Sequence, residues 1–362
     1  MKLVKLALKV VGGLFGVAVL SVLGLIAFLA LSATRPAHPV GVQQVLAVDE
    51  GHEPIGVTIF YPTTQTPRLR WLVMSFAYIA PNAAMTGGAH PLVVVSHGTG
   101  AGPLSHLDTV FALVEAGYVV AAPLHNGDNF QDESDVGASE WFVNRSRQIV
   151  RVNDFMLEQW KDRNDLDPKR LGLFGFSAGG TTALVVIGGI PDLGRIEPLC
   201  KSHREFVCQL QKPGPPMRIP VASEWTHDPR VAAAVVAAPG YGFTFEPDGL
   251  SAVKARVQLW AGSADSRLPL ATNAGAVRRQ LPDSPEFHLV DNAGHLSFLK
   301  SCDALTRLLL PMICEDPQGF DRNAFHTQFN AAVVAFFDKS LQQTESKSTQ
   351  QTVPVSFDHG AN

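Results

Sequence analysis

Charge is scarce in this sequence: 17% of its 362 residues are Asp, Glu, Lys or Arg, against 46% apolar. A chain so rich in Val, Leu, Ala and Phe is neither disordered nor collagen-like, and it can bury a large core. The first 35 residues hold Lys2, Lys5, Lys9 and Arg35 and no acid, which leaves a body with 25 Lys plus Arg against 33 Asp plus Glu. A net-negative body without a basic stripe argues against nucleic acid or an anionic lipid surface as its partner. A small uncharged or amphiphilic substrate is the expectation. The sequence also lacks C-x-x-C, H-E-x-x-H, G-x-G-x-x-G and Walker patterns. No structural or catalytic metal is therefore expected, and no cofactor. There are no internal repeats.

Cysteine is sparse, and its four copies fall into two sequence-close pairs, Cys200 with Cys208 and Cys302 with Cys314. In an exported chain these would form two local disulfides; in a reducing compartment they would be four thiols. The N-terminus favours export. After Lys9, the 25 residues from Val10 to Thr34 carry no charge, enough at ~1.5 Å per residue to cross a ~30 Å hydrocarbon layer. A signal-peptide core is shorter, ~7–15 residues, so residues 1–35 read as an uncleaved membrane anchor with its lysines on the cytoplasmic side. The alternative is a cleaved signal peptide cut near Leu31-Ser32-Ala33. Both place the body outside the cytoplasm, in the periplasm or beyond the cell.

Past the anchor, Val45–Val48 and Ile55–Tyr61 read as antiparallel strands. Next, apolar runs at Pro91–Ser96, Tyr118–Pro123, Leu171–Phe176, Val231–Ala238, Val257–Ala261 and Glu286–Val290 alternate with helical patterns at Leu104–Ala116, Glu140–Lys161, Ser177–Gly188, Leu270–Gln280 and Phe325–Leu341. Continuous apolar runs are strands buried on both faces, and strands alternating with helices give a mostly parallel sheet flanked by helices. One domain over residues 40–341 is predicted. It is interrupted by a Pro-rich insertion at about 190–229, placed as a cap after a helix, and followed by a polar, disordered tail at 342–362.

The chemistry gathers at strand ends. Gly175-Phe-Ser177-Ala-Gly179 lies between an apolar strand and an apolar helix, where a G-x-S-x-G turn exposes a strained serine. Side chains at Gly175 or Gly179 would collide with the neighbouring strand and helix. A serine hydroxyl needs an imidazole to take its proton, and the imidazole needs an acid to fix its tautomer. His295 follows the Phe287–Val290 strand in a small-residue loop, whereas His288 and His326 fall within a strand and a helix. Asp265 and Asp291 both keep the order serine, acid, histidine. Asp265 ends the preceding strand, and adjacent parallel strand ends lie only ~4.8 Å apart, so Asp265 is preferred. Donors for a developing oxyanion would be the backbone N–H groups of Ala178 and of Thr99, in the turn flanked by Gly98 and Gly100. His97 is assigned to holding that turn.

From about Val45 to Leu341 the chain resembles the dienelactone-hydrolase-like branch of the α/β-hydrolases, a group that also resembles platelet-activating-factor acetylhydrolases. The motifs are Val57-Thr-Ile-Phe-Tyr-Pro62, Val95-Ser-His-Gly-Thr-Gly100, Gly175-Phe-Ser-Ala-Gly-Gly180, Asp228-Pro-Arg230 and Ala293-Gly-His295. The resemblance implies an α/β-hydrolase fold and a serine esterase acting on short-chain or lipid-derived acyl esters, which sits well with the membrane anchor read from the N-terminus. Dienelactone hydrolases use a cysteine where this chain has Ser177, so lactone specificity is not carried over. Lactone, thioester or amide hydrolysis on the same three residues, and a non-catalytic binding role, are the competing readings.

Overall fold

The computed structural model describes residues 2–72, 75–211 and 217–342. Nearly all of the tail assigned to 342–362, and residues 212–216 of the expected cap, lie outside the described residues. A 31-residue helix, α1 (Lys2–Ser32), leads into β1 (Val40–Ala47), β2 (Ile55–Pro62), β3 (Arg68–Leu72), β4 (Ser75–Pro81) and β5 (His90–Ser96). The chain then runs through α2 (Leu107–Glu115), β6 (Val119–Leu124), α3 (Ser139–Asp154), β7 (Leu166–Phe176), α4 (Ala178–Val186), α5 (Ile196–Ser202), α6 (Phe206–Gln209) and β8 (Val231–Ala237). It ends with β9 (Arg256–Gly262), α7 (Ala274–Gln280), β10 (Glu286–Val290), α8 (Ala304–Leu309) and α9 (Arg322–Gln342).

Among the described residues ten strands join one sheet in the order β10-β9-β8-β7-β5-β6-β2-β1-β4-β3. The six from β10 to β6 are parallel, whereas β6, β2 and β1 pair antiparallel. The pleat divides the apolar residues between two faces. Leu92 and Val94 of β5 meet α3 and α4 on one side, whereas Val93 and Val95 meet α2 and α9 on the other. Two-sided burial is why these strands read as unbroken apolar runs.

Several boundaries differ from expectation. The β3–β4 hairpin was not anticipated, because Arg68, Arg70 and Trp71 lie exposed at the sheet edge and carry no apolar run. β1 starts at Val40, its polar Gln43 buried and satisfied by Tyr61 Oη and Trp160 Nε1. The expected helix to Lys161 stops being α-helical at Asp154 and finishes in a wider π turn, Phe155–Gln159.

Disulfides join Cys200 to Cys208 and Cys302 to Cys314, with Cα separations of 5.4 and 5.9 Å. Residues Lys9–Ser32 of α1 are long and apolar enough to cross a membrane, and none of that span is buried against the domain.

Candidate active site

Ser177 sits between the end of β7 and the start of α4, with φ 55° and ψ −118°. That left-handed φ is costly for a residue with a Cβ, about 1–3 kcal/mol, so its surroundings must hold it. The backbone N–H of Ser177 donates to Ala237 O at 3.0 Å, and Ser177 O accepts from Gly180 N at 2.9 Å and Gly240 N at 3.2 Å. The two motif glycines permit the crossing. A Cβ on Gly175 would fall 2.1 Å from Gly179 O, and one on Gly179 would fall 2.0 Å from Ser96 O of β5. The turn therefore wedges a half-buried hydroxyl above the sheet.

Two later strand ends bring the partners. β9 and β10 are parallel neighbours, with Gly262 opposite Val290, so the loops after them meet. His295 Nδ1 lies 2.8 Å from Asp265 Oδ2, and His295 Nε2 lies 3.0 Å from Ser177 Oγ. A carboxylate only accepts, so the N–H of this ring is on Nδ1 and the Ser177 hydroxyl donates to Nε2. Asp265 Oδ1 also accepts the N–H groups of Arg267 and Leu268 at 3.0 and 2.9 Å. The imidazole stacks on Phe176, with centroids 4.9 Å apart. Asp291 stands apart and exposed, 3.2 Å from Ser263 Oγ. His288 stacks on Trp260 and bonds Glu286. His326 bonds Ser297 O at 2.9 Å and lies 2.7 Å from Asp108, bracing the segment that follows His295.

The turn after β5 lies over the serine: a Cβ on Gly98 would be 3.3 Å from Ser177 Cβ and 3.1 Å from Phe176. Thr99 lies in this turn between Gly98 and Gly100, and Ala178 is the first residue of α4, where the helical N–H has no partner within the helix. His97 accepts His125 N–H at Nε2, 3.2 Å away, and bonds Gly98 O at 2.8 Å through Nδ1. Burial, reinforced by the Arg145 charge, lowers its pKa to about 4. A neutral imidazole already committed at both nitrogens is structural.

Sequence reasoning missed the group that fastens this turn. Asp128, fully buried, accepts Gly100 N–H at 2.7 Å and Trp141 Nε1–H at 2.6 Å, and it pairs with Arg145. Arg145 also donates to Ser96 Oγ at 3.2 Å, Thr182 Oγ1 at 3.0 Å and the His97 carbonyl. One signal was readable: Arg145 lies on the same helical stripe as Phe142, Ile149 and Val152, a placement where a charge must be paired.

Between α3, α4 and Tyr241, the residues Trp141, Phe142, Arg145, Ala178, Thr182 and Val185 line a cavity of about 10 Å³. The insertion docks nearby. Glu205 accepts from Thr272 and Asn273, Phe206 N–H donates to Arg267 O, and Tyr241 Oη lies 3.4 Å from Val207 O.

Residues 77–196 match the dienelactone hydrolase family. The strand order and the serine turn are those of an α/β-hydrolase fold, and over that matched third of the chain the sequence is dienelactone-hydrolase-like. The structure is similar to a ferulic acid esterase from Streptomyces cinnamoneus, with TM-score 0.59, 18% identity, and 89% of this chain and 97% of that one covered. A dienelactone hydrolase from Anabaena variabilis aligns with TM-score 0.49 at 18% identity, over 84% of this chain and 100% of the other. No curated protein matches the chain.

Proposed function

We propose that the chain is a serine hydrolase of carboxylic esters that works through an acyl-enzyme. The observation that carries this reading is the unbroken line Asp265–His295–Ser177, with contacts of 2.8 and 3.0 Å, ending on a strained serine beneath the Gly98–Gly100 turn. In this mechanism Ser177 Oγ attacks the ester carbonyl as its proton passes to His295 Nε2. Asp265 keeps the ring oriented and stabilises the imidazolium. The carbonyl oxygen, now negative, accepts hydrogen bonds from Thr99 N–H and Ala178 N–H. Removing one such donor typically costs about 10²–10³ in turnover. When the C–O bond breaks, the leaving alkoxide takes the proton from His295. Water then repeats the sequence on the acyl-enzyme and regenerates Ser177.

The neighbouring esterase and the family match both favour an ester or lactone bond. Ser177 in place of a cysteine nucleophile favours the ester. On this reading the small cavity lined by Ala178 and Tyr241, about one water-sized sphere in volume, takes a short acyl group, and a longer chain requires Tyr241 to shift. We assign residues 190–229 as the cap that sets this limit. The apolar α1 and the two disulfides support a membrane-anchored enzyme with its body outside the cytoplasm.

The test is Ser177→Ala against p-nitrophenyl esters of graded acyl length. Turnover should fall by about 10⁴–10⁶-fold, labelling by a fluorophosphonate should vanish, and acetate should be preferred over decanoate in the wild type. Activity of Ser177→Ala within tenfold of wild type would remove the serine mechanism. Labelling of Ser177 without turnover of any ester would turn the reading toward lactones or thioesters.

A further inference from the structure

The end of α1 is stitched to the body without a spacer. Ala33 is buried, Thr34 N–H donates to Phe76 O at 2.8 Å, and Tyr78 N–H donates back to Thr34 O at 2.9 Å. Arg35 lies 4.5 Å over the Tyr78 ring and bonds Ala30 O. The 24-residue span Lys9–Ser32 is about 36 Å long, little more than a ~30 Å hydrocarbon layer. If α1 spans, Ser32 lies at the headgroup level, and the parts of the body that touch α1 lie there too. Those parts are β4 and α8.

They carry an unusual surface. Leu308 is 73% exposed, Leu309 48% and Met312 67%, and Trp71, on the strand paired with β4, is 52% exposed. The segment is braced as though its position matters. Cys302–Cys314 closes it. Asp303 caps α8 by accepting Thr306 N–H at 2.7 Å, while Ser75 Oγ of β4 and Lys300 Nζ both bond Asp303 Oδ2, at 2.9 and 3.2 Å. A disulfide-closed turn pinned to the hairpin, with three large apolar side chains outward, would be a poor design for water. It suits the boundary of a bilayer, where aromatic and aliphatic side chains partition among headgroups and upper acyl chains.

We propose that Leu308, Leu309, Met312 and Trp71 form a second membrane contact, through which the body seats on the outer surface of the bilayer that α1 spans. The occupant is the lipid interface itself, bound by apolar insertion, since the body's net negative charge gives anionic headgroups no attraction. The inference rests on α1 being retained as an anchor. Because Cys302 follows His295 on the same stretch of chain, seating would also hold the Ser177 site at a fixed height above the lipid.

Trp71 is a built-in probe, because the other four tryptophans are at most 6% exposed. The full chain is reconstituted in phosphatidylcholine vesicles with acyl chains brominated near the headgroup. Bromolipid should quench part of the emission. That part should be absent in Trp71→Phe and reduced at least threefold in Leu308→Ser/Leu309→Ser/Met312→Ser, with alkaline carbonate extracting none of the three proteins. Adding anionic lipid should leave the quenching unchanged. No Trp71-dependent quenching in carbonate-resistant protein would overturn the seating while leaving the anchor intact. Carbonate release, or a mature chain lacking residues 1–32, would overturn the anchor and the seating with it. A dimer in detergent that the triple substitution dissolves would assign the patch to a second copy instead.

Discussion

Asp128→Asn tests whether the turn over Ser177 is held by a buried charge. Asp128 is inaccessible to water and surrounded by donors: Gly100 N–H on Oδ1, and Trp141 Nε1–H with Arg145 on Oδ2. An asparagine keeps the shape but offers one acceptor oxygen. If that oxygen faces Trp141 and Arg145, its amide group confronts Gly100 N–H, donor against donor, across about the 2.7 Å now bridged. If it is flipped, Arg145 loses its acceptor. Either way the fully buried guanidinium loses its counter-charge, and breaking one side of a buried pair costs about 3–5 kcal/mol. That is a large part of a typical stability of about 5–15 kcal/mol. Catalysis should suffer separately. Thr99 adjoins Gly100, and a displacement of about 1 Å in a catalytic group can cost about 10²-fold. The expected result is a urea-unfolding loss of about 3 kcal/mol or more, with kcat down 10- to 100-fold and KM nearly unchanged. Adding Arg145→Met should restore part of the stability, since no unpaired charge remains, but not the rate. A loss below about 1 kcal/mol with turnover within threefold of wild type would refute the claim that this pair fastens the turn.

Three further outcomes follow from the geometry. Asp265→Asn should lower turnover by up to about 10⁴ through the wrong histidine tautomer, whereas Asp291→Asn should stay within about threefold; a side-by-side kinetic comparison with the reverse ranking would move the orienting role to Asp291. Stability should fall with acidification, because burial holds His97 near pKa about 4, His106 near about 3 and His125 well below its ordinary value. The unfolded chain takes up protons at these residues below about pH 6.5 while the folded one does not, so their contribution is full above 6.5 and is lost as pH drops toward 4. Each group adds a slope approaching about 1.4 kcal/mol per pH unit, and a urea midpoint that is flat from pH 7 to 5 would contradict it. Cys200→Ser/Cys208→Ser removes a short closed loop worth about 2.5 kcal/mol on the chain-entropy estimate; it should shift the acetate-to-decanoate ratio of kcat/KM, and an unchanged ratio would separate the insertion from acyl selection.

How much was legible follows from the kind of signal each part carries. β5 and β10 were readable to within a residue, because apolar runs and turn residues are local. The placing of Ser177, Asp265 and His295 together was readable for the same reason, each at a strand end in a small-residue turn. The β3–β4 hairpin was not, since its pairing depends on the edge of β1 and on the end of α1, neither of which marks the sequence of Arg68–Pro81. The Asp128–Arg145 pair was hidden more deeply. His125–Gly137 is polar and looks like a solvated loop, yet His125, Asp128 and Asn129 are almost wholly buried, because Arg145 and Gly100 N–H satisfy Asp128, Ser96 and Gln148 satisfy His125, and the loop's own backbone satisfies Asn129. A single sequence shows composition along the chain, and this network is a property of three segments meeting.

That division also says where specificity resides. Ser177, Asp265 and His295, the proposed reacting residues, follow β7, β9 and β10, which are clamped by the sheet. The turn over Ser177 depends on Asp128 and Arg145, and the wall beside Ala178 is built from Trp141, Phe142 and Tyr241. Trp141 belongs to both sets: its ring packs against Phe142 and Tyr241 while its Nε1–H bonds Asp128. An acyl group long enough to push on Tyr241 would therefore press on the residue that helps to hold the oxyanion turn. If the proposed acyl site and donors are right, binding of a longer chain and loss of donor alignment are coupled through that one indole. The preference for short acyl groups should then show itself in kcat as well as in KM, which a steric limit on binding alone would not produce.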